Sequence, residues 1–270
     1  MPASKTSLRA RSISWLQVGL VFVVFVALWE AAVRVFAISP VLLPSPQDVA
    51  VSLTQVVHQP MQPGGYGIET WHTMSAALLG WVISAVLGIA IAIFLVWFPL
   101  FSRLLLPYIV AFQVLPRLAI APLFIIWFGH GLLAKVVLAS LFAFFPVLVN
   151  TVTGLNAAPA EGIELMQSLR ASKLQIFRYY SFPNSLPYIF AGLEVAIVFS
   201  VLGVIVAEFV GGTNGLGVMI LQFHYNIDIG GVFAVLIVLA LLGLLMRGIL
   251  IKVRDRMLFW LPAPDSVSSS

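Results

Sequence analysis

From His72 to Trp97 the chain reads HTMSAALLGWVISAVLGIAIAIFLVW, without one Asp, Glu, Lys or Arg. About 20 apolar residues are enough for a helix to cross a bilayer. Hydrocarbon admits only structures that satisfy their own backbone, so such a run is a helix when it spans. Comparable runs recur at about 15–37, 104–128, 132–153, 186–210 and 231–251, giving six. The chain as a whole is 61% hydrophobic and 9% charged, against roughly 25% charged in a soluble domain. The expectation is an all-α integral membrane protein with six transmembrane helices.

The same pattern sets the expected boundaries. Residues 1–14 form an N-terminal segment, 15–253 the six-span domain, and 254–270 a C-terminal tail ending in the low-complexity SVSSS. Lys5, Arg9 and Arg11 precede an apolar run, as in a signal peptide. That run continues to about Ile38, long enough for a retained anchor. The third run holds Pro107, Pro116 and Pro122. Prolines free helix carbonyls, so this span is expected to be bent, or partly re-entrant. Between the first two runs the sequence predicts an extended piece, a short helix from about Gln47 to Val57, and a loop.

Lysine and arginine set orientation. With both termini in the cytoplasm, that side holds Lys5, Arg9, Arg11, Arg103, Arg170, Lys173, Arg178, Lys252, Arg254 and Arg256. The outer side holds only Arg34 and Lys135. The net charge of +4 therefore reads as topology and not as an affinity for nucleic acid. The absence of cysteine excludes disulfides and thiolate chemistry.

One cytoplasmic stretch departs from the hydrocarbon pattern: ELMQSLRASKLQIFRYYSFPNSLP, Glu164–Pro187. Pro159, Glu161 and Glu164 mark a helix start, with Ile163, Met166 and Leu169 on one face. Ser172 and Gln175 match a capping box, so a second short helix begins at Lys173. Its apolar set is Ile176, Phe177 and Tyr180, and Pro183 and Pro187 end it and start the next span. Two amphipathic helices result. They are either an interfacial connector on anionic lipid or a docking element for a soluble partner.

Glu164, Ser168, Leu169, Ala171, Ser172, Phe177, Pro183, Leu186 and Pro187 resemble the EAA loop of permeases in binding-protein-dependent ABC importers. LLPSP (42–46), APLFIIWFG (121–129), FPVLVNTVTGL (145–155) and AEFVGGTNGLG (207–217) are similar to the nitrate, sulfonate and taurine branch of that family. PRLAIAPLFIIWFG is most similar to its hydroxymethylpyrimidine, or thiamine-precursor, members. The resemblance implies a type I importer permease fold whose loop, about 156–185, forms coupling helices seated in a cytoplasmic ATPase. Glu164, Ser168, Leu169, Arg170, Ala171, Ser172, Phe177 and Pro183 are then the coupling residues. It also implies a second permease copy as a homodimer, an extracytoplasmic solute-binding protein, and a bacterial inner-membrane location. ATP and Mg would be bound by the partner ATPase, with no cofactor in this chain. Taurine, sulfonate, nitrate and riboflavin are the other substrates the branch implies. Members usually carry a glycine where this chain has Arg170, which predicts a gentler bend or one shifted to Ser172. They usually carry a basic residue where this chain has Glu194.

The chain has no G-x-x-x-x-G-K-[ST] phosphate loop, H-E-x-x-H or G-x-S-x-G, so it is expected to be a transport subunit and not an enzyme. An ion-coupled secondary transporter is the rival class, against which stands the lack of an evident internal repeat. Charges inside the spans are costly and therefore informative. Glu30 and Arg34 are spaced to pair on one helix face. Arg117 is either a charge solvated by freed carbonyls or a pathway residue. Glu208 is a gate, a lock on the bundle, or a plain interface position. Glu194 is placed to pair with a base nearer the cytoplasm. Gln113, Asn150 and Gln222 either line a path or bond neighbouring helices. His130 and His224 read as surface or interface residues.

Overall fold

The computed structural model describes residues 5–58 and 65–260, and every regular element among them is helical. In chain order these are α1 (Lys5–Val35), α2 (Pro46–His58), α3 (Tyr66–Trp97), α4 (Pro99–Val114) and α5 (Arg117–Phe128). There follow α6 (Leu132–Asn156), α7 (Ala160–Ser168), α8 (Lys173–Ile176), a π-turn (Phe177–Ser181), α9 (Phe182–Gly211), α10 (Leu216–Tyr225) and α11 (Ile229–Met257). The SVSSS tail lies outside the described residues, as do residues 59–64 of the first loop and the side chains of Lys5, Arg9 and Arg11.

The chain divides into two compact units, one of residues 1–67 with 219–237 and one of residues 68–218 with 238–270. In the first, α2 forms where the sequence predicts a helix. Ser45 caps it: its Oγ accepts the Asp48 N–H at 3.2 Å, and the Asp48 carboxylate accepts the Ser45 N–H at 3.1 Å, which satisfies donors that every helix start leaves open. Arg34 pairs with Glu30 one turn back, as their spacing predicts. Trp29 packs on Phe233, and Tyr66 stacks on Phe223.

In the second unit α6 and α9 make the principal helix pair. Small residues let their backbones approach: a methyl group on Gly203 would sit 2.8 Å from both the Ala139 Cα and the Leu138 carbonyl. Such close approach is what holds helices together where no hydrophobic force acts between them. Ala76 and Ala77 of α3 join Val136, Ala139 and Val204 in one buried cluster. Ala121 and Ile125 of α5 join Leu138, Phe142 and Val206 in another.

Four helices among the described residues are long and apolar enough to cross a membrane: α3, α6, the continuous helix Lys173–Gly211, and α11. The pair α4 and α5 counts as a fifth if taken as one broken span. This is short of the six expected: α1, which holds the run at 15–37, is not among the four, and the run at 104–128 is not one helix. That run starts earlier, at Pro99, and breaks between Val114 and Arg117 with a bend of 95°. Leu115 is extended, with ψ 137°, because a residue before proline is pushed out of the helical region. Two further differences concern helix ends. Pro183 and Pro187 do not end a short helix, since α8 continues through the π-turn into α9. A proline crowds the carbonyl four residues earlier, and the wider π-turn accommodates Pro183 without a break. The last span also runs on through Arg254 to Met257, past the expected start of the tail.

Candidate functional site

The amphipathic stretch is built from local interactions. Pro159 precedes α7 and Glu161 lies in its first turn. Ile163 and Gln167 face a crevice of about 370 Å³, also lined by Trp97, Pro99, Leu155 and Phe177. Leu169 does not share that face; it is 71% exposed. The helix ends with paired backbone bonds, Arg170 N–H to the Gln167 carbonyl at 2.8 Å and Ala171 N–H to the Met166 carbonyl at 3.0 Å. This is the Schellman pattern, which normally places glycine at the position Arg170 occupies. Arg170 takes the left-handed conformation all the same, with φ +58°. The bend therefore stays at Arg170 and does not move to Ser172, which is extended at φ −68°, ψ 159°. An L-residue in this region costs roughly 1–2 kcal/mol, and the two carbonyl bonds plus the following cap hold it there.

That cap is the predicted one. Ser172 Oγ accepts the Gln175 N–H at 3.3 Å, and the Ser172 N–H donates to Gln175 Oε1 at 2.7 Å. Ser168 is tied inward, its hydroxyl donating to the Leu165 carbonyl at 2.8 Å. Phe177 packs edge-on against Trp97 of α3 at 5.5 Å and against Phe182 at 5.8 Å. The Tyr180 hydroxyl reaches back to the Pro159 carbonyl at 3.3 Å across Gly162, where any side chain would collide with the ring. The inner face of α7 and α8 is thus anchored to the unit. The outer face presents Leu165, Leu169, Leu174 and Tyr179, all more than half exposed, beside the exposed Glu164 and Arg170, with Ala171 half-buried.

A second polar centre lies at the other end of α9. Glu208 is 1% exposed and Lys135, from α6, is 2% exposed. They pair at 2.9 Å. Lys135 also donates to the Asn214 carbonyl and to its side-chain oxygen, both at 2.7 Å. Glu208 accepts the Thr73 hydroxyl at 2.9 Å and the Gly217 N–H at 2.7 Å. The Thr73 oxygen in turn accepts the Leu216 N–H at 2.8 Å, and Glu69 accepts the Gly215 N–H. Gly215, at φ +105°, lies where a Cβ would strike the Glu208 carboxylate. The loop GGTNGLG is therefore wrapped around a buried ion pair, its N–H groups turned in upon two carboxylates and a hydroxyl. Lys135, read from the sequence as an outer-side charge near a helix end, is buried in an ion pair near the start of α6. A lone lysine inside an apolar run signals a buried partner, and Glu69 with Thr73 one turn apart was a readable signal for the same centre.

The remaining polar residues are scattered. The Arg117 guanidinium donates to the Phe142 carbonyl at 3.1 Å, which is free because Pro146, four residues on, has no N–H to offer it. This matches the carbonyl-solvation alternative, although the carbonyl belongs to α6 and not to its own broken span. The Asn150 amide donates to the Pro146 carbonyl within its own helix at 2.8 Å. Gln113 and Gln222 are exposed, as are His130 and His224. Glu194 meets Arg254 at 2.7 Å and Arg247 at 3.4 Å, supplying the base expected below it. Among the described residues no group of three His, Cys, Asp or Glu is placed to hold a metal ion.

Residues 84–258 match the family described as binding-protein-dependent transport system inner membrane component, and the chain belongs to it: it is a permease subunit of the ABC importer class. It is 32% identical over 253 residues to the formylaminopyrimidine transport permease protein ThiX of Halalkalibacterium halodurans, covering 93% of this chain and 98% of that one. It is likewise 32% identical over 249 residues to the riboflavin transport system permease protein RibX of Chloroflexus aurantiacus, covering 90% and 91%. The fold matches a chain of the inward-facing MetNI methionine ABC transporter with a TM-score of 0.61 at 21% identity, over 69% of this chain and 93% of that one.

Proposed function

We propose that this subunit carries a small aminopyrimidine of the thiamine-precursor type across the bacterial inner membrane, driven by ATP hydrolysed on a separate cytoplasmic subunit. The observation that carries the coupling part is the anchored pair α7 and α8. Phe177 fixes its inner face to Trp97 of α3, the Tyr180–Pro159 bond and the Ser172 cap hold its shape, and its outer face leaves Leu165, Leu169, Leu174 and Tyr179 uncovered. An anchored apolar face on α7 and the start of the helix that continues into α9 suits a groove in a soluble partner. Glu164, Ser168, Leu169, Arg170 and Ala171 belong to or border the docking face; Ser172, Phe177 and Pro183 set its shape. The similarity to the ThiX permease supports the aminopyrimidine reading.

In this proposal both termini and the loop lie in the cytoplasm. Two copies of the chain form the path, and a solute-binding protein delivers substrate on the outer side. Nucleotide-driven closure of the ATPase shifts the bundle between outward-open and inward-open states, to the extent that the ATPase binds one state better. Arg117, Asn150 and Gln113 face the path in at least one state, while the Glu208 centre braces the outer end.

Uptake of a radiolabelled aminopyrimidine into cells that carry or lack the gene tests the proposal. Uptake should require the gene, stop on ATP depletion and survive a proton uncoupler when ATP is maintained. Uptake that survives ATP depletion and collapses with the ion gradient would place the chain with ion-coupled carriers instead.

A further inference from the structure

Arg117 opens α5. A cation at a helix N-terminus is opposed by the helix dipole, and a charge at this depth is costly unless it is paired. No carboxylate among the described residues forms an ion pair with it. Three phenyl rings surround the guanidinium instead. Its central carbon lies 5.2 Å from the Phe145 ring centre, 5.4 Å from that of Phe199 and 5.9 Å from that of Phe142. The fourth contact is the Phe142 carbonyl, left without a helical donor by Pro146. Two helices thus build a cage of aromatic faces with a single acceptor at its edge, and the chain fills it with a planar, nitrogen-rich group of its own that uses one of its several N–H donors there.

We infer that Arg117 is a resident surrogate, and that Phe142, Phe145, Phe199 and the Phe142 carbonyl form a binding site for a planar heterocycle bearing an exocyclic amine. Such a ligand reproduces each contact the guanidinium makes. Its ring stacks against the phenyl faces, and its amine donates to the Phe142 carbonyl. Aromatic faces attract planar cations and electron-poor rings alike. A sulfonate offers neither a flat face nor a donor, and its oxygens would meet the carbonyl head-on. Arg117 sits directly after the 95° break between α4 and α5, one residue past the extended Leu115 and Pro116, so its side chain can swing out of the cage while Ala121 and Ile125 keep α5 packed on α6 and α9. The ligand then replaces an internal competitor, and release of the ligand returns the arginine to the cage. The inference rests on the reading of the chain as a permease for an aminopyrimidine.

The test is equilibrium dialysis of radiolabelled 4-amino-5-hydroxymethyl-2-methylpyrimidine against the full chain in lipid nanodiscs. Arg117→Ala removes the competitor and should bind about tenfold more tightly than the unaltered chain, the scale of a desolvated cation–π contact. Phe145→Leu should bind at least tenfold more weakly, and Phe145→Tyr, which keeps the face, should bind as the unaltered chain does. Ethanesulfonate should not compete. Arg117→Ala binding no better than the unaltered chain overturns the surrogate role. Ethanesulfonate binding that depends on Arg117 would make the arginine a direct anion ligand and overturn the class of ligand. Absence of aminopyrimidine binding to both the unaltered chain and Arg117→Ala overturns the site. A Phe145→Leu variant that imports the aminopyrimidine in cells at the normal ATP-dependent rate overturns the cage while leaving the permease reading in place.

Discussion

Lys135→Met tests the buried centre at the end of α9 most sharply. Methionine matches the lysine stem in length but removes the charge. Glu208, 1% exposed, then keeps only the Thr73 hydroxyl and the Gly217 N–H. Removing one partner of a buried ion pair costs about 3–5 kcal/mol, and Asn214 loses two hydrogen bonds as well. For a domain of this size that corresponds to a fall in melting temperature on the order of 10 °C. Glu208→Leu should cost a similar amount, since it strands Lys135 and the Gly217 N–H. Combining the two removes both charges, and an apolar replacement of a buried pair is often close to neutral. The double variant should therefore be less damaged than the sum of the singles, by a coupling of about 2–3 kcal/mol. Thermal unfolding of the purified chain in detergent measures all four corners of the cycle. Single variants within about 0.5 kcal/mol of the unaltered chain, or strictly additive losses, would refute the argument that the loop is held by this pair.

Two further predictions concern the loop between α6 and α9. Arg170→Gly relieves the left-handed conformation at φ +58°, a gain of about 1 kcal/mol offset in part by the greater freedom of glycine in the unfolded chain. It should leave transport intact and raise thermal stability slightly, as melting curves will show; a loss of stability would mean the arginine side chain makes contacts that the turn geometry does not explain. Gln175→Cys, on a background without cysteine, should react with membrane-impermeant thiol reagents only after cells are opened, and labelling of intact cells with outer-membrane access would reverse the proposed orientation.

Short-range chemistry was legible in the sequence; of the long-range pairings, a base for Glu194 was expected and is supplied by Arg254, but the Lys135–Glu208 pair was not foreseen. The Ser172–Gln175 cap, the Pro159 helix start and the Glu30–Arg34 pair each involve residues within four positions, so spacing alone specifies them. Arg170 shows the limit of a local argument. Its intrinsic preference opposes the bend, yet bonds from its own and the next N–H to carbonyls in the preceding helix outweigh that preference. Lys135 and Glu208 are 73 residues apart, and a count of charges by side of the membrane treats each as an independent marker. Only the packing of α6 on α9 brings them together. The break at Leu115 followed from proline chemistry, but its 95° angle did not, because neighbouring helices set how far a freed joint turns. The same held at Pro183, where a single wide turn replaced the expected end.

In the proposed mechanism, residues 161–182 dock this permease onto its ATPase. Ala171 lies half-buried in the bend between α7 and α8, so Ala171→Asp sets a charge against the docking face without touching a span. A buried, unpaired charge costs about 3–5 kcal/mol, against roughly 8 kcal/mol for a micromolar contact. The measurement is the amount of phosphate-loop ATPase retained when the tagged chain is purified from its own membranes, normalised to the permease recovered. The unaltered chain should retain the ATPase at a fixed ratio, and Ala171→Asp should insert at a normal level and lose it. Equal retention by the two would show that this loop is a lipid-facing connector and that the chain couples to ATP elsewhere.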